Sequence, residues 1–177
     1  MEKEFRTELT ESIKDFRLPR YNEIPNVGLF LEQTTKYISD ILAPLPGITI
    51  TSSMISNYVK KKLIANPIKK QYDRDQVAYL IFIAVAKSVL SLEHIQALID
   101  LQKRVSEKKQ AYEYFCFAFE GLLAYVFGLK ESFEDDGKAD TQDRILLRNT
   151  IIAVVHKIYL ETSISLLEKM AKEMPEQ

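Results

Sequence analysis

The stretch ITSSMISNYVKKKLIANPIKKQYD, residues 50–73, decides the fold. Its Thr-Ser-Ser start, helically spaced apolar residues and Asn-Pro break predict a short helix, a tight loop and the start of a second helix. Basic side chains are concentrated in and just after it, against the single acid Asp73: Lys60, Lys61, Lys62, Lys69, Lys70 and Arg74. Because the whole chain has a formal net charge of −1, this positive charge is local. A cationic patch on a helix–loop–helix frame indicates a surface for an anionic partner, and we expect double-stranded DNA.

The composition of the 177 residues is that of an ordinary soluble globular protein with one good core, since 46% are hydrophobic and 28% are charged. A single cysteine, Cys116, excludes an internal disulfide and fits a reducing compartment. The first residues are charged and unlike a secretory signal, and the longest apolar run, Val77–Val85, is too short to cross a bilayer. We therefore predict a cytoplasmic protein without a membrane partner.

Apolar residues at helical spacing predict helices over most of the chain, with prolines and glycines near their ends. In chain order, the predicted helices are Thr7–Phe16, a helix capped by Asn26 that ends near Leu42, 52–61 capped by Thr51 or Ser52, Arg74–Val89 with a capping box from Asp73 and Gln76, Leu92–Arg104 capped by Ser91, Ala111–Phe127, and Thr141–Met174 capped by Asp140. The second of these helices is expected to bury one face, which carries Val27, Phe30, Thr34, Tyr37 or Ile38, and Ile41. The charged stretch Gln102–Gln110 is either a bend or a continuous helix. Residues 66–72 predict a basic wing with a short strand over Ile68–Tyr72. The predicted fold class is all-α with a minor β wing.

A helix that enters the major groove of DNA needs short polar side chains for base edges and longer cations for phosphates. The predicted recognition helix, about 52–61, has both kinds of residue, and the wing adds further cations. Tyr58 is expected to pack at the base of this helix with its hydroxyl free to reach a phosphate. The predicted DNA-binding residues are Ser52, Ser53, Ser56, Asn57, Tyr58, Lys60, Lys61, Lys62, Lys69, Lys70, Tyr72 and Arg74. The plainer alternative is a solvated helix end whose lysines offset the helix dipole.

In order and spacing, these segments resemble the DNA-binding half of MerR-type winged-helix regulators. In that family a recognition helix ending in Tyr is followed by Gly-Leu-Leu, a basic wing ending in Tyr-Ser, then Leu-x-Phe-Ile and Gly-Phe-Ser-Leu-Glu-Glu-Ile. The corresponding positions here are Tyr58, Leu63-Ile64, Tyr72-Asp73, Leu80-Ile81-Phe82-Ile83 and Leu90-Ser91-Leu92-Glu93-His94-Ile95. The Arg-Tyr-Tyr of MerR recognition helices is here Ser56-Asn57-Tyr58, and Lys69-Lys70-Gln71 stands where paired arginines are usual.

The chain resembles the bacterial family called domain of unknown function 1836 more closely still. The similar segments are LPRYNEIPNVGLFLEQ (residues 18–33), ITSSMISNYVKKKLI (50–64) and PIKKQYDRDQVAYL (67–80). The resemblance covers about residues 16–103 and implies a MerR-like winged helix-turn-helix. The family has no established activity, so the resemblance implies a fold more than a function.

The sequence contains no pattern that indicates an enzyme, a metal site or a cofactor. Cys116 lies between two phenylalanines and is expected to be a buried, inert thiol. The two histidines, His94 and His156, are far apart, and His156 is expected to be a hydrogen-bonded core residue. Glycine-rich phosphate loops, nucleophile elbows and paired-carboxylate motifs are absent from the sequence. We therefore predict no catalytic residues, no metal and no cofactor.

The last third of the chain has apolar and aromatic residues on more than one side of each predicted helix, which is typical of helices covered on several sides. We expect a second copy of the chain to provide that cover, giving a homodimer through the C-terminal helices. Two alternatives stay open: a helical hairpin folded onto the first lobe, and a small-molecule effector pocket beside the aromatic helix. The predicted organisation is an N-terminal arm (1–17), a winged helix-turn-helix domain (18–104) and a C-terminal helical region (105–177).

Together these patterns predict a DNA-binding transcriptional regulator. The alternative is a non-catalytic protein-interaction module, which keeps the winged-helix scaffold but binds an acidic partner protein. The two hypotheses differ in the affinity that they predict for duplex DNA of random sequence. A regulator should have measurable nonspecific affinity, and this affinity should fall steeply as the salt concentration rises.

Overall fold

The segment Leu18–Pro25 is extended apart from one turn, and it is held against a helix about a hundred residues later in the chain. The structure is a computed structural model that describes residues 2–134 and 141–173. Within these ranges it has seven α-helices, one 3-10 turn at Tyr21–Glu23 and one two-stranded sheet. The elements are α1 (Glu2–Glu11), β1 (Leu29–Phe30), α2 (Leu31–Leu42), α3 (Ser52–Lys60), β2 (Gln71–Tyr72), α4 (Arg74–Ala86), α5 (Leu92–Val105), α6 (Lys108–Val126) and α7 (Gln142–Glu173). The predicted all-α class with a minor β element is confirmed.

The start of α2 differs from the prediction. Asn26 does not cap this helix, because Leu29 and Phe30 pair with Tyr72 and Gln71 in an antiparallel ladder before the helix begins at Leu31. Their backbone groups are thus used in the sheet. As a result Phe30, expected on the buried face of the helix, is 49% exposed.

The caps of the next helices confirm the sequence analysis. The Thr51 hydroxyl accepts a hydrogen bond from the Met54 amide (3.2 Å) at the start of α3. Asp73 and Gln76 form the reciprocal capping box of α4, with both N···O distances at 2.8 Å. Ser91 caps α5 in the same way through the His94 amide. These local interactions fix where each helix begins.

Several other boundaries are shifted. The first helix is Glu2–Glu11, five residues earlier than predicted, and the chain then turns so that Ile13 and Leu18 both enter the core. The stretch around Ser106 is a bend between α5 and α6, which decides between the two alternatives. α4 ends at Ala86, and α6 begins at Lys108. The predicted Asp140 cap and the end at Met174 lie outside the described residues.

The C-terminal helices are covered within the chain. α6 and α7 pack against each other and on α4 and α5, while α1 lies on α7. One continuous core extends from Leu9 to Ile158, and Phe119 at its centre is fully buried between Phe16 and Phe115. The helical hairpin folded onto the first lobe is therefore what the structure shows for α6. The domain division at residue 104 stays a prediction.

The extended connector Leu18–Pro25 is fastened to α6 by polar side chains. The Arg20 guanidinium donates two parallel hydrogen bonds to the Glu120 carboxylate (2.8 and 2.7 Å), which also accepts from the Leu18 amide (2.8 Å). Glu113 accepts from the Tyr21 amide at 2.8 Å. The hydrogen bonds to Glu120 raise the pKa of the Arg20 guanidinium. Two backbone amides and one side chain of the connector are thus bound by two carboxylates of α6.

By length and composition, α7 is a helix that can cross a membrane, the one such helix in the described part of the chain. In the most apolar stretch of α7, 33% is buried inside the protein. Core helices of soluble proteins meet the same criterion, so this property does not assign a location.

Candidate nucleic-acid interface

The outer face of α3 consists of short polar residues followed by a lysine. Ser53, Ser56, Asn57 and Lys60 are all exposed, and their spacing of three, four and seven residues places them on one side of the helix. On the opposite side, Ile55 and Tyr58 are fully buried. The helix therefore presents to solvent the polar face that the sequence predicts for base contacts.

The end of α3 places a lysine where helices usually have glycine. The Leu63 amide donates to the Tyr58 carbonyl (2.9 Å) and the Lys62 amide to the Val59 carbonyl (2.9 Å), which is a Schellman motif. In this motif the residue after the helix adopts a left-handed backbone, and Lys62 has φ 60°. Glycine adopts that conformation at lower cost than lysine.

The tip of the wing has two further lysines with a left-handed backbone, Lys69 and Lys70. Ile68 and Gln71 exchange both backbone hydrogen bonds (3.1 and 2.9 Å) around the two-residue loop Lys69-Lys70. With φ 49° and 64°, these lysines form a type I′ turn, for which Asn-Gly is the favoured sequence. Among the described residues, the non-glycine residues with positive φ are Lys62, Lys69 and Lys70. All three lie in the predicted site, so backbone strain is concentrated there.

We define the lysine patch as the five exposed lysines of this segment, which are Lys60, Lys61, Lys62, Lys69 and Lys70. Within residues 2–134 and 141–173, none of the five forms an ion pair with a carboxylate. One lysine of the patch acts on a carboxylate through space: the Glu93 backbone amide and the Ser91 hydroxyl lower the pKa of the Glu93 carboxyl, and the charge of Lys61 lowers it further. The patch is thus a local excess of positive charge available to a partner.

Two predicted phosphate or base contacts are occupied within the protein. The Ser52 hydroxyl donates to the Glu32 carboxylate (2.8 Å) and lies 3.0 Å from the Thr35 hydroxyl. Arg74 donates from Nε to the Ile24 carbonyl (2.9 Å), and its guanidinium stacks over the Tyr21 ring at 5.5 Å. The sequence shows neither partner, because Glu32, Ile24 and Tyr21 come close only through the fold.

Both tyrosines of the predicted site are buried residues. Tyr58 and Tyr72 are 0% and 4% exposed, because their rings complete the core beneath α3 and the wing. The Tyr58 hydroxyl has no hydrogen-bond partner among the described residues. Burial raises the pKa of Tyr58 to about 12, above its ordinary value near 10. The hydroxyl is therefore a polar group in an apolar site and cannot reach a phosphate.

Replacing Tyr58 by phenylalanine is expected to stabilise the protein by about 1 kcal/mol, because an unpaired buried hydroxyl is removed. Because burial raises the pKa of Tyr58, the hydroxyl ionises more readily in the unfolded chain, and the wild-type protein loses stability as the pH rises from 10 towards 12. Y58F should lose less stability over that interval in urea titrations at each pH. As a control, Y112F removes a hydroxyl that donates to the Pro19 carbonyl (2.9 Å) and should destabilise. A destabilised Y58F would contradict this assignment.

Three exposed apolar residues beside the wing were missed by the sequence analysis. Phe30 and Ile68 both lie opposite Gln71 across the ladder, so their side chains share one face of the small sheet. Ile68 is 75% exposed, and nearby Val27 is 72% exposed. Val27 and Phe30 have helical spacing with Thr34, so the sequence predicted that both lie on the buried face of a helix. No local signal showed that the helix begins only after them, at Leu31.

The cysteine and the histidines singled out in the sequence do not form a metal-binding group among the described residues. No group of three or more His, Cys, Asp or Glu side chains lies in metal-binding range in that part of the chain. Cys116 is buried, as predicted, and burial raises the pKa of its thiol to about 12, which keeps it protonated. His156 is exposed on α7, so its prediction as a core residue is wrong, although its Nδ1 lies 2.8 Å from the Ile152 carbonyl oxygen.

The family comparison matches the segment that contains this interface. The model described as domain of unknown function (DUF1836) matches residues 19–115, which is more than half of the 177 residues. The match extends from the connector through β1, α2, α3, the wing, α4 and α5 into the first part of α6. No curated protein and no solved structure matches the chain. The chain therefore belongs to the domain of unknown function 1836 family.

Proposed function

We propose that this protein is a DNA-binding transcriptional regulator with a MerR-like winged helix-turn-helix. The observation that carries the proposal is the lysine at each strained position of the site. A glycine at Lys62, and Asn-Gly at Lys69-Lys70, would give the same backbone with less strain. Lysine at these positions is explained if the three ammonium groups contact a partner, and duplex DNA supplies closely spaced phosphates.

In the proposed complex, α3 enters the major groove with its exposed polar face. Ser53, Ser56 and Asn57 are the side chains positioned for base edges, and the Asn57 amide can pair twice with adenine. The lysine patch holds phosphates on either side, three cations from the end of α3 and two from the wing. Ser52, Tyr58, Tyr72 and Arg74 serve this surface by holding it in place, since each is engaged or buried inside the protein.

The alternative, a protein-interaction module for an acidic partner, is favoured by one observation. The Glu32 carboxylate lies at the N-terminal end of α3, where it accepts from the Ser52 hydroxyl. A negative charge there opposes the approach of phosphates to the helix end that would lead into a groove. An acidic protein that contacts only the lysines at the other end of α3 and on the wing avoids this repulsion.

The two hypotheses are separated by titrating a random-sequence duplex at several salt concentrations, using fluorescence anisotropy. Five lysines that each bind one phosphate predict a slope of log affinity against log salt of about −4.5. The variant K69N/K70G should be more stable by about 1–2 kcal/mol, because it places favoured residues in the turn. Its slope should be less steep by about 1.8, since it has two fewer cations. An absence of salt-dependent binding by the wild type would favour the interaction module.

We also propose that two copies associate through α7. α6 is covered inside the chain, but α7 presents an exposed stripe in which Leu146, Ala153, Leu160 and Leu167 repeat every seven residues. Leu160 and Leu167 are 57% and 54% exposed, and Ile164 beside them is 55% exposed. A seven-residue apolar repeat fits a second helix in a coiled-coil seam. In an antiparallel pair, Leu146 faces Leu167 and Ala153 faces Leu160 of the other copy, so apolar side chains meet at each level of the seam.

A charge in the middle of this seam is expected to separate the two copies. L160E should weaken self-association by about 100-fold or more, because each dimer would bury two unpaired carboxylates. Sedimentation equilibrium over a range of protein concentrations measures this directly. The control L129E changes a leucine that is 41% exposed outside α7 and should leave the association unchanged. A wild-type protein that remains monomeric at about 100 μM would contradict the proposal.

A further inference from the structure

A cavity of about 340 Å³ lies between α4, α5, α6 and the beginning of α7. Its volume is within the range of about 300–1,000 Å³ that is usual for small-molecule sites. Tyr79 and Phe82 of α4 and Tyr112, Tyr114 and Phe115 of α6 line it, and the rings of Phe82 and Phe115 meet edge to face with their centres 5.5 Å apart. The cavity therefore has aromatic side chains in its lining, and none of the five lysines of the patch lines it.

Two tyrosine hydroxyls of this lining, those of Tyr79 and Tyr112, donate hydrogen bonds within the protein. The Tyr79 hydroxyl donates to the Gln102 side chain (2.9 Å), and the Gln102 amide donates to the Ser106 carbonyl (2.8 Å). The Tyr112 hydroxyl donates to the Pro19 carbonyl (2.9 Å). An occupant is thus bound chiefly by apolar and aromatic contact.

The charged groups at the rim are balanced. Asp75 accepts from Lys108 (2.7 Å) and from the Tyr21 hydroxyl. Although burial alone would raise it, the pKa of the Asp75 carboxyl is lowered by these two hydrogen bonds. Arg144 stacks on the outer wall with its guanidinium 3.9 Å from the centre of the Tyr114 ring, and Asp143 lies beside it. No net charge on the rim selects a charged ligand.

We propose that this cavity binds an uncharged aromatic molecule beside the aromatic rings that line it. Aromatic rings stack favourably on such faces in offset or edge-to-face arrangements. α4 begins two residues after the wing strand β2 ends, so the occupant lies against the helix that joins the wing to the core. The binding site itself does not depend on the proposed DNA binding.

The test uses N-phenyl-1-naphthylamine, an uncharged aromatic probe whose fluorescence rises in apolar surroundings. The chain has no tryptophan, so the protein contributes little background. Titration of the full-length protein should give saturable binding of one probe per chain, with Kd of about 10–100 μM. A111F places a ring in the cavity from α6 and should weaken binding by about tenfold or more.

The matched control is A124F, which enlarges a half-exposed alanine of the same helix outside the cavity and should bind the probe like the wild type. If A111F fails to fold in thermal melts, L98F occupies the same cavity from α5 and should have the same effect. L160E should bind the probe normally, which excludes the α7 stripe as the site. Nonsaturable binding, or equal affinity in A111F and A124F, would overturn the proposal. A failure of duplex binding would contradict only the DNA proposal, because this titration contains no DNA.

Discussion

Replacing the whole lysine patch by glutamine, as K60Q/K61Q/K62Q/K69Q/K70Q, should remove salt-dependent binding of duplex DNA. Because the variant has no patch ammonium groups to bind phosphates, the slope of log affinity against log salt should change from about −4.5 to near zero. At low salt the affinity should fall by at least about 100-fold. Glutamine keeps much of the aliphatic side chain and, as these lysines are exposed, the fold should be retained.

The matched control changes five other exposed lysines, as K3Q/K87Q/K109Q/K130Q/K172Q. Both variants carry the same net charge, so a difference between them measures the arrangement of charge and not its total. We expect the control to keep most of the wild-type slope in the same anisotropy titration. Equal losses in the two variants would show that duplex affinity comes from overall charge and that the lysine patch has no special role.

Replacing Glu120 by alanine should lower the free energy of unfolding by about 3 kcal/mol, because one carboxylate accepts three hydrogen bonds. Two come from the Arg20 guanidinium, and the third comes from the Leu18 amide, which lies in the core. Since the Arg20 side chain is 35% exposed, water replaces part of the lost interaction. The midpoint of thermal unfolding should fall by about 6–12 °C.

Two further variants test whether this loss comes from the hydrogen bonds. E120Q keeps an acceptor for the Leu18 amide and should lose less stability than E120A in urea denaturation. D40A breaks the exposed pair between Lys36 and Asp40 and should unfold like the wild type. An E120A protein as stable as D40A would show that the connector does not depend on Glu120.

Local sequence signals predicted the parts of the fold that depend on neighbouring residues. Thr51, Ser91 and the Asp73–Gln76 box each cap a helix where the sequence placed the cap. The polar face of α3 also followed from spacing alone. These features need only a few residues in a row, which is why a single sequence is sufficient to predict them.

The parts that failed depend on residues far apart in the chain. β1 forms because Leu29 and Phe30 meet Gln71 and Tyr72, and no residue near Asn26 indicates that pairing. Ser52 and Arg74 looked available for DNA, yet their partners Glu32 and Ile24 reach them only in the fold. In the same way, α6 is covered by α4, α5 and α7 of its own chain. The sequence showed that the helix was covered on several sides without showing by what.

The connector's attachment to α6 bears on the smallest piece of this protein that can fold by itself. The matched family segment stops at residue 115, inside α6, before Phe119 and Glu120. A fragment cut there would keep every lysine of the patch but would lose the carboxylate that fastens Arg20, the central Phe119 ring and all of α7. Its freshly opened apolar surface would favour aggregation, so sequence similarity marks a shorter unit than the one that cooperates in folding.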